Sequence, residues 1–151
     1  MSDRTVLRLS GADVRTFLQG LVTNDVNKVD DGLVYAALLT PQGKYLADFF
    51  LAAAGEDVLM EVAAALAPGL TQRLTLYKLR ADVTIADSGL HVHRGVDAVP
   101  ADGFADPRHA TLGWRAYRAE VAPSTDVDWT ALRVAQVVPE TGVELTPDSY
   151  I

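Results

Sequence analysis

Asp48 is the residue whose type and setting point most directly to chemistry. It stands in Tyr45-Leu46-Ala47-Asp48-Phe49-Phe50-Leu51, where strand alternation puts it on one face with Leu46 and Phe50. A carboxylate among apolar side chains is costly unless it is hydrogen-bonded or protonated. One reading is a buried acid that binds or protonates a polar nitrogen of a ligand. The other is an edge or bulge position at which Asp48 meets solvent or a backbone N–H. Tyr35 interrupts the apolar run from Leu33 to Leu39. It either stacks on a planar ligand or is a core tyrosine with its hydroxyl at the surface.

The remaining polar candidates say less. His91 and His93 are two apart in an expected strand, so they share a face, but two ligands without a third usually make a solvated strand face rather than a metal site. His109 lies beside Pro107-Arg108 in an expected loop. Lys78 and Arg80, with Arg73 one turn back, either complement a helix C-terminus or hold an anion. No G-x-G-x-x-G, P-loop, H-E-x-x-H or G-x-S-x-G pattern occurs.

These residues need elements to position them. Thr5 to Leu9 reads as a strand. Ser10-Gly11-Ala12-Asp13 resembles a capping box, with Asp where Glu is usual. Val14, Phe17, Leu18 and Leu21 then follow on one helical face, and Gly20 is placed to stop the helix. Leu33 to Leu39 reads as a buried strand, Thr40-Pro41-Gln42-Gly43 as a β-turn, and Tyr45 to Ala53 as the returning strand. Val58 to Val62 is a third strand. Leu66, Leu70, Leu74 and Tyr77 recur at helical spacing, with Pro68 near the helix start. Val83 to Ala86 and Leu90 to Val92 flank Asp87-Ser88-Gly89 as a second hairpin. The order from Tyr45 to Arg94 is β-β-α-β-β, so the fold class is α+β. Leu112 to Glu120 reads as a strand and Asp128 to Val137 as a helix ended by Pro139.

The chain has 151 residues and a net charge of −7, which argues against non-specific binding to nucleic acid or to an anionic membrane. It contains no cysteine, so no disulfide, thiolate nucleophile or Cys-ligated metal arises within it. No apolar run reaches the roughly 20 residues of a membrane span, and the opening residues do not resemble a signal peptide. Cytoplasmic location is the expectation.

Five ordered blocks resemble the YgfZ-type folate-binding proteins, relatives of the glycine-cleavage T-protein, an aminomethyltransferase. They are Phe17-Leu18-Gln19-Gly20-Leu21-Val22-Thr23-Asn24-Asp25-Val26, Thr40-Pro41-Gln42-Gly43-Lys44-Tyr45-Leu46-Ala47-Asp48-Phe49, Leu76-Tyr77-Lys78-Leu79-Arg80-Ala81-Asp82-Val83, Asp106-Pro107-Arg108 with Leu112-Gly113-Trp114-Arg115, and Pro139-Glu140-Thr141-Gly142-Val143-Glu144-Leu145. The resemblance implies a folate-binding T-protein-like fold. It divides this chain into a split N-terminal domain, residues 1–42 and 98–151, around a ferredoxin-like insert, residues 43–97. It also implies that the chain corresponds to the N-terminal half of such a protein. The Lys-Gly-Cys-Tyr-x-Gly-Gln-Glu signature and the C-terminal barrel would lie beyond Ile151.

In function, the resemblance implies tetrahydrofolate as cofactor, no metal within this chain, and a supporting role in iron–sulfur cluster assembly or repair with client or assembly proteins as partners. Asp48 would hydrogen-bond the pterin or N10 region, Tyr35 would line the pocket, and Lys44 would meet the glutamyl carboxylate. Two alternatives stand beside this. The first is a glycine-cleavage aminomethyltransferase, against which stand Ala63-Ala64 where the transferases carry an asparagine, and Thr40-Pro41-Gln42-Gly43-Lys44 where they favour Asn-x-x-Gly-Gly. The second is a non-enzymatic module in which a second copy of the chain covers the exposed face of the incomplete domain as a homodimer.

Overall fold

The computed structural model describes residues 4–40, 42–108 and 110–121. Pro41, His109, the expected helix from Asp128 to Val137 and the block from Pro139 to Leu145 lie outside the described residues. Within them the chain forms β1 (Arg4–Ser10), α1 (Val14–Gln19), β2 (Val34–Leu39), β3 (Tyr45–Ala54), β4 (Asp57–Ala63), α2 (Ala67–Lys78), β5 (Thr84–Asp87), β6 (His91–Gly95), β7 (Phe104–Ala105) and β8 (Trp114–Arg118). Five strands make an antiparallel sheet in the order β2-β3-β4-β1-β5, and three make a second sheet in the order β6-β8-β7. The chain is α+β, as its patterning requires.

The first sheet is covered on both faces. On one, Leu9, Phe49, Leu51, Met60 and Val62 pack with Val14 and Leu18 of α1 and Leu70 and Leu74 of α2. On the other, Val6, Phe50 and Leu59 pack with Val92, Phe104 and Tyr117 of the second sheet. The near-continuous apolar runs of β3 and β4 follow from burial on both sides.

Three local expectations are corrected. The capping box does not form, and Asp13 makes no side-chain cap. Its carboxylate instead accepts from the Asp82 N–H at 2.8 Å, while Asp82 accepts from the Ala12 N–H at 3.1 Å. Gly11 makes this clasp feasible, because at its φ of +117° a Cβ would lie 2.1 Å from the Asp82 carbonyl oxygen. Gly20 closes α1 in right-handed helical geometry, not in the left-handed conformation of a glycine stop.

The third correction concerns the hairpin over Val83 to Val92. The turn at Asp87-Ser88-Gly89 is present, with Gly89 N–H donating to Asp87 Oδ1. The strands beside it do not pair with each other. Ser88 donates from both N–H and Oγ to the Val6 carbonyl, so β5 stays on β1 while β6 crosses to β8. The sequential order β3-β4-α2-β5-β6 is therefore as read, but these strands do not close on one another as a separate ferredoxin-like sheet. β1 lies between β4 and β5, and the division placed after residue 42 falls inside the β2–β3 hairpin.

Candidate functional site

Asp48 is buried, 5% exposed, on the face of β3 turned toward the second sheet. A β-bulge decides its surroundings. Leu38 stands opposite Ala47, but Leu39 stands opposite Tyr45, so Leu46 is an extra residue in β3. One extra residue reverses the alternation before it. Leu46 packs with the helix-side core, which corrects the expectation that it shares a face with Asp48. Tyr45 takes the Asp48 side in its place, and its hydroxyl donates to Asp48 Oδ1 at 2.7 Å. The Tyr35 hydroxyl donates to Asp48 Oδ2. Both carboxylate oxygens are thus satisfied by phenols, which answers how an acid is tolerated in this strand. Burial, and then the Asp48 carboxylate, push the Tyr35 phenol well above its ordinary pKa and keep it a donor.

Tyr35 is fixed from two sides. It stands opposite Phe50 across the β2–β3 ladder, with ring centroids 5.2 Å apart. Its carbonyl accepts from Asn24 Nδ2 at 3.1 Å, and Thr23 Oγ1 accepts from the Ala37 N–H at 2.9 Å. The Thr23-Asn24 turn thereby splints the outer edge of β2.

A second acid on the same face escaped sequence reasoning. Glu61 is fully buried and stands opposite Phe50 on one side and Val6 on the other. It accepts from Arg4 Nε at 2.8 Å and from the Tyr117 hydroxyl at 3.0 Å, with Arg115 Nη1 at 3.5 Å. Burial alone would raise its pKa, but the guanidiniums of Arg115 and Arg4 outweigh that and hold it below the usual carboxylate range. The signal that marks Asp48 was present here too, an acid inside Val58-Leu59-Met60-Glu61-Val62. Tyr45 carried no such signal, because a bulge has no composition of its own in this segment.

Two arginines complete the face. Arg108 is held by Asp106 through Nε at 3.1 Å and Nη2 at 2.9 Å. Its guanidinium carbon lies 4.9 Å from the Phe50 ring centroid and 5.6 Å from that of Tyr35. Arg115 lies 4.2 Å over Phe50. Gly113 permits the approach of β8 to β6, since a Cβ there would sit 1.8 Å from the Gly95 oxygen.

The other sequence candidates lie elsewhere. Lys44 is half-buried in the turn before β3, its N–H donating to Thr40 Oγ1 at 3.0 Å. His93 is buried and donates from Nε2 to the Glu120 carbonyl at 2.8 Å, while His91 is exposed. No cluster of three or more His, Cys, Asp or Glu side chains fit to hold a metal occurs among the described residues. Lys78 Nζ ties the end of α2 to the Val83 carbonyl at 2.7 Å, and Arg73 donates to the Tyr77 hydroxyl at 3.3 Å. A cavity of about 200 Å³ opens on the helix side, lined by Leu38, Leu46, Leu66, Leu70 and Arg73. No helix among the described residues is long and apolar enough to cross a membrane.

The fold and these residues can be set beside known proteins. No family model matches the chain. It is 31% identical over 135 residues to the mitochondrial iron–sulfur cluster assembly factor IBA57 homolog of Mycosarcoma maydis, covering 74% of this chain and 34% of that protein. It is 35% identical over 132 residues to the Pyricularia oryzae homolog, covering 76% and 34%. With mouse IBA57 the identity is 27% over 97% of this chain and 52% of the relative. In structure it is similar to the glycine cleavage system aminomethyltransferase T of Bartonella henselae, with a TM-score of 0.51, 17% identity, and coverage of 56% of this chain and 24% of that one. The chain is a YgfZ-type relative. It carries part of the T-protein fold, and it spans about a third of the length of the fungal relatives and about half that of the mouse one. These relatives are mitochondrial proteins by name, which overturns the expectation of a cytoplasmic location.

Proposed function

We propose that this chain is the tetrahydrofolate-binding part of an accessory factor for iron–sulfur cluster assembly. The observation that carries the reading is Asp48, a buried acid clasped by Tyr35 and Tyr45 on a face also lined by Phe50. A pterin offers N–H donors along one edge and a planar ring above and below them. A carboxylate fixed by two phenols is an acceptor whose orientation is set before the ligand arrives, which saves ordering entropy on binding. Tyr35, half-buried beside it, supplies a ring face. Lys44, half-buried in the turn at one end of β3, is on this reading a cation for a ligand carboxylate.

The assembly role rests on the similarity to the IBA57 factors, and the folate on the T-protein-like fold. The partners on this reading are iron–sulfur client or assembly proteins. Ala63, buried at the end of β4, offers no side-chain amide to a ligand, which favours an accessory factor over a glycine-cleavage transferase. Titration calorimetry with tetrahydrofolate tests the reading. The wild-type chain binds, and Asp48→Asn weakens binding at least tenfold while circular dichroism shows an intact fold. Equal affinity of the two chains would remove Asp48 from the site.

A further inference from the structure

A surface helix ordinarily keeps its apolar side chains on the buried stripe. α2 buries Ala67, Leu70 and Leu74, yet its outward side also carries Tyr77 and Leu76, the latter 66% exposed. Leu79, just past the last residue of α2, is 85% exposed. It ends the helix at a φ of +44°, where glycine is the unstrained residue. A solvated leucine in that conformation costs backbone energy and gains no burial within the described chain. The same stretch is cationic. No acid occurs at residues 62–81, which hold Arg73, Lys78 and Arg80, in a chain of net charge −7. Lys78 is tied to the Val83 carbonyl. Arg73 donates to the neutral Tyr77 hydroxyl, and no ion pair among the described residues includes Arg73 or Arg80. Arg73 also lines the helix-side cavity with Leu38, Leu46, Leu66, Gly69 and Leu70, so the exposed stripe runs into it. At about 200 Å³ the cavity has room for one leucine or phenylalanine side chain.

We propose that the outward face of α2 is a docking surface for an acidic segment of a partner protein. The segment places one apolar side chain in the cavity between α2 and the β2–β3 hairpin, packs on Leu76 and Leu79, and sets its carboxylates on Arg73 and Arg80. An apolar anchor in a pocket with charges at its rim is the ordinary anatomy of a protein interface. Charge selects the occupant. A second copy meeting this face about a twofold axis would bring the same cations together, whereas carboxylates beside an apolar side chain match both features. The surface lies on the helix side of the sheet, so the proposal goes beyond the tetrahydrofolate reading and does not depend on Asp48.

The test uses the whole chain and a fluorescein-labelled peptide with Leu and Glu at helical spacing, read by fluorescence anisotropy. The expected result is saturable binding that weakens as salt is raised, with none for the matching Leu and Lys peptide. Leu79→Gly relieves the backbone, so urea unfolding shows no loss of stability, yet binding weakens about tenfold or more. Arg73→Gln combined with Arg80→Gln weakens it to a similar degree, and Asp48→Asn stays within about twofold. No binding of the Leu and Glu peptide overturns the proposal, as does equal affinity of the wild type and Leu79→Gly, or equal binding of the two peptides. Photo-crosslinking from Leu79→p-benzoylphenylalanine identifies the occupant. Capture of the Leu and Glu peptide supports the proposal. Capture of residues 122–151 or of a second copy in its place assigns the face to that occupant and overturns it. Co-sedimentation with phosphatidylserine vesicles in the absence of peptide binding overturns it as well.

Discussion

On one face of the five-stranded sheet, Leu9, Phe49, Leu51, Met60 and Val62 meet two helices and no charged group is buried among them. On the other, the same strands turn Tyr35, Asp48, Phe50, Glu61 and Arg4 toward a second sheet that brings Arg115 and Tyr117. The helix face depends on volume and close packing, which tolerate similar apolar replacements. The polar face depends on pairing, where each group is costly once its partner leaves. A sheet that needs its second face only for folding would be expected to fill it with apolar residues. Asp48, Glu61 and Asp106 are buried there with a cluster of guanidiniums, a cost to stability that the proposed binding role would explain.

Removing one partner from the polar face should show the largest effect. Glu61→Ala leaves Arg4 and Arg115 without their acid, and a loss of about 3–5 kcal/mol in urea unfolding is expected. The wild-type protein should show the same dependence through pH. The Glu61 pKa is depressed in the folded state, so its contribution is present above the unfolded value of 4.5 and is lost as pH falls below that through the folded value. Urea midpoints measured from pH 7 to pH 2 should fall most steeply below about pH 4.5 in the wild type and less steeply in Glu61→Gln.

On the helix face, Leu74→Ala should cost about 3 kcal/mol by cavity formation, with no change in ligand affinity beyond what loss of folded protein explains. A specific effect on affinity would break the separation of the two faces. Tyr45→Phe removes one of the two phenols from Asp48, and about 1–2 kcal/mol of stability should go with it. Ligand affinity should fall as well, because Asp48 loses its fixed orientation. The smallest effect belongs to the rim. Asp57→Asn removes the partly exposed pair with Arg8 at 2.8 Å, and under about 1 kcal/mol is expected in the same unfolding assay.

Much of this was legible from local pattern. The runs Leu33 to Leu39 and Val58 to Val62, the turn at Gly43 and the helix after Pro68 each follow from apolar periodicity and backbone preference. Asp48 was legible because an acid in an apolar strand has to be accounted for. The pairing of β5 with β1 was not, since it rests on Ser88 reaching the Val6 carbonyl across 82 positions of chain. Nor was the place of Tyr45. Strict alternation assigns it to the helix side, and the bulge at Leu46, visible only in the register with β2, carries it across to Asp48. Glu61 was legible in principle, by the same argument that singled out Asp48. Its two arginines come from β1 and β8 and were not, since no spacing rule links them.

Chemical-shift mapping of the isotopically labelled chain with tetrahydrofolate tests the division of the two faces most directly. The account predicts saturable shifts at Tyr35, Tyr45, Asp48 and Phe50, with Leu66, Leu70 and Arg73 unmoved. Shifts centred on those last three, around the helix-side cavity, would place the ligand on the opposite face of the sheet and contradict it.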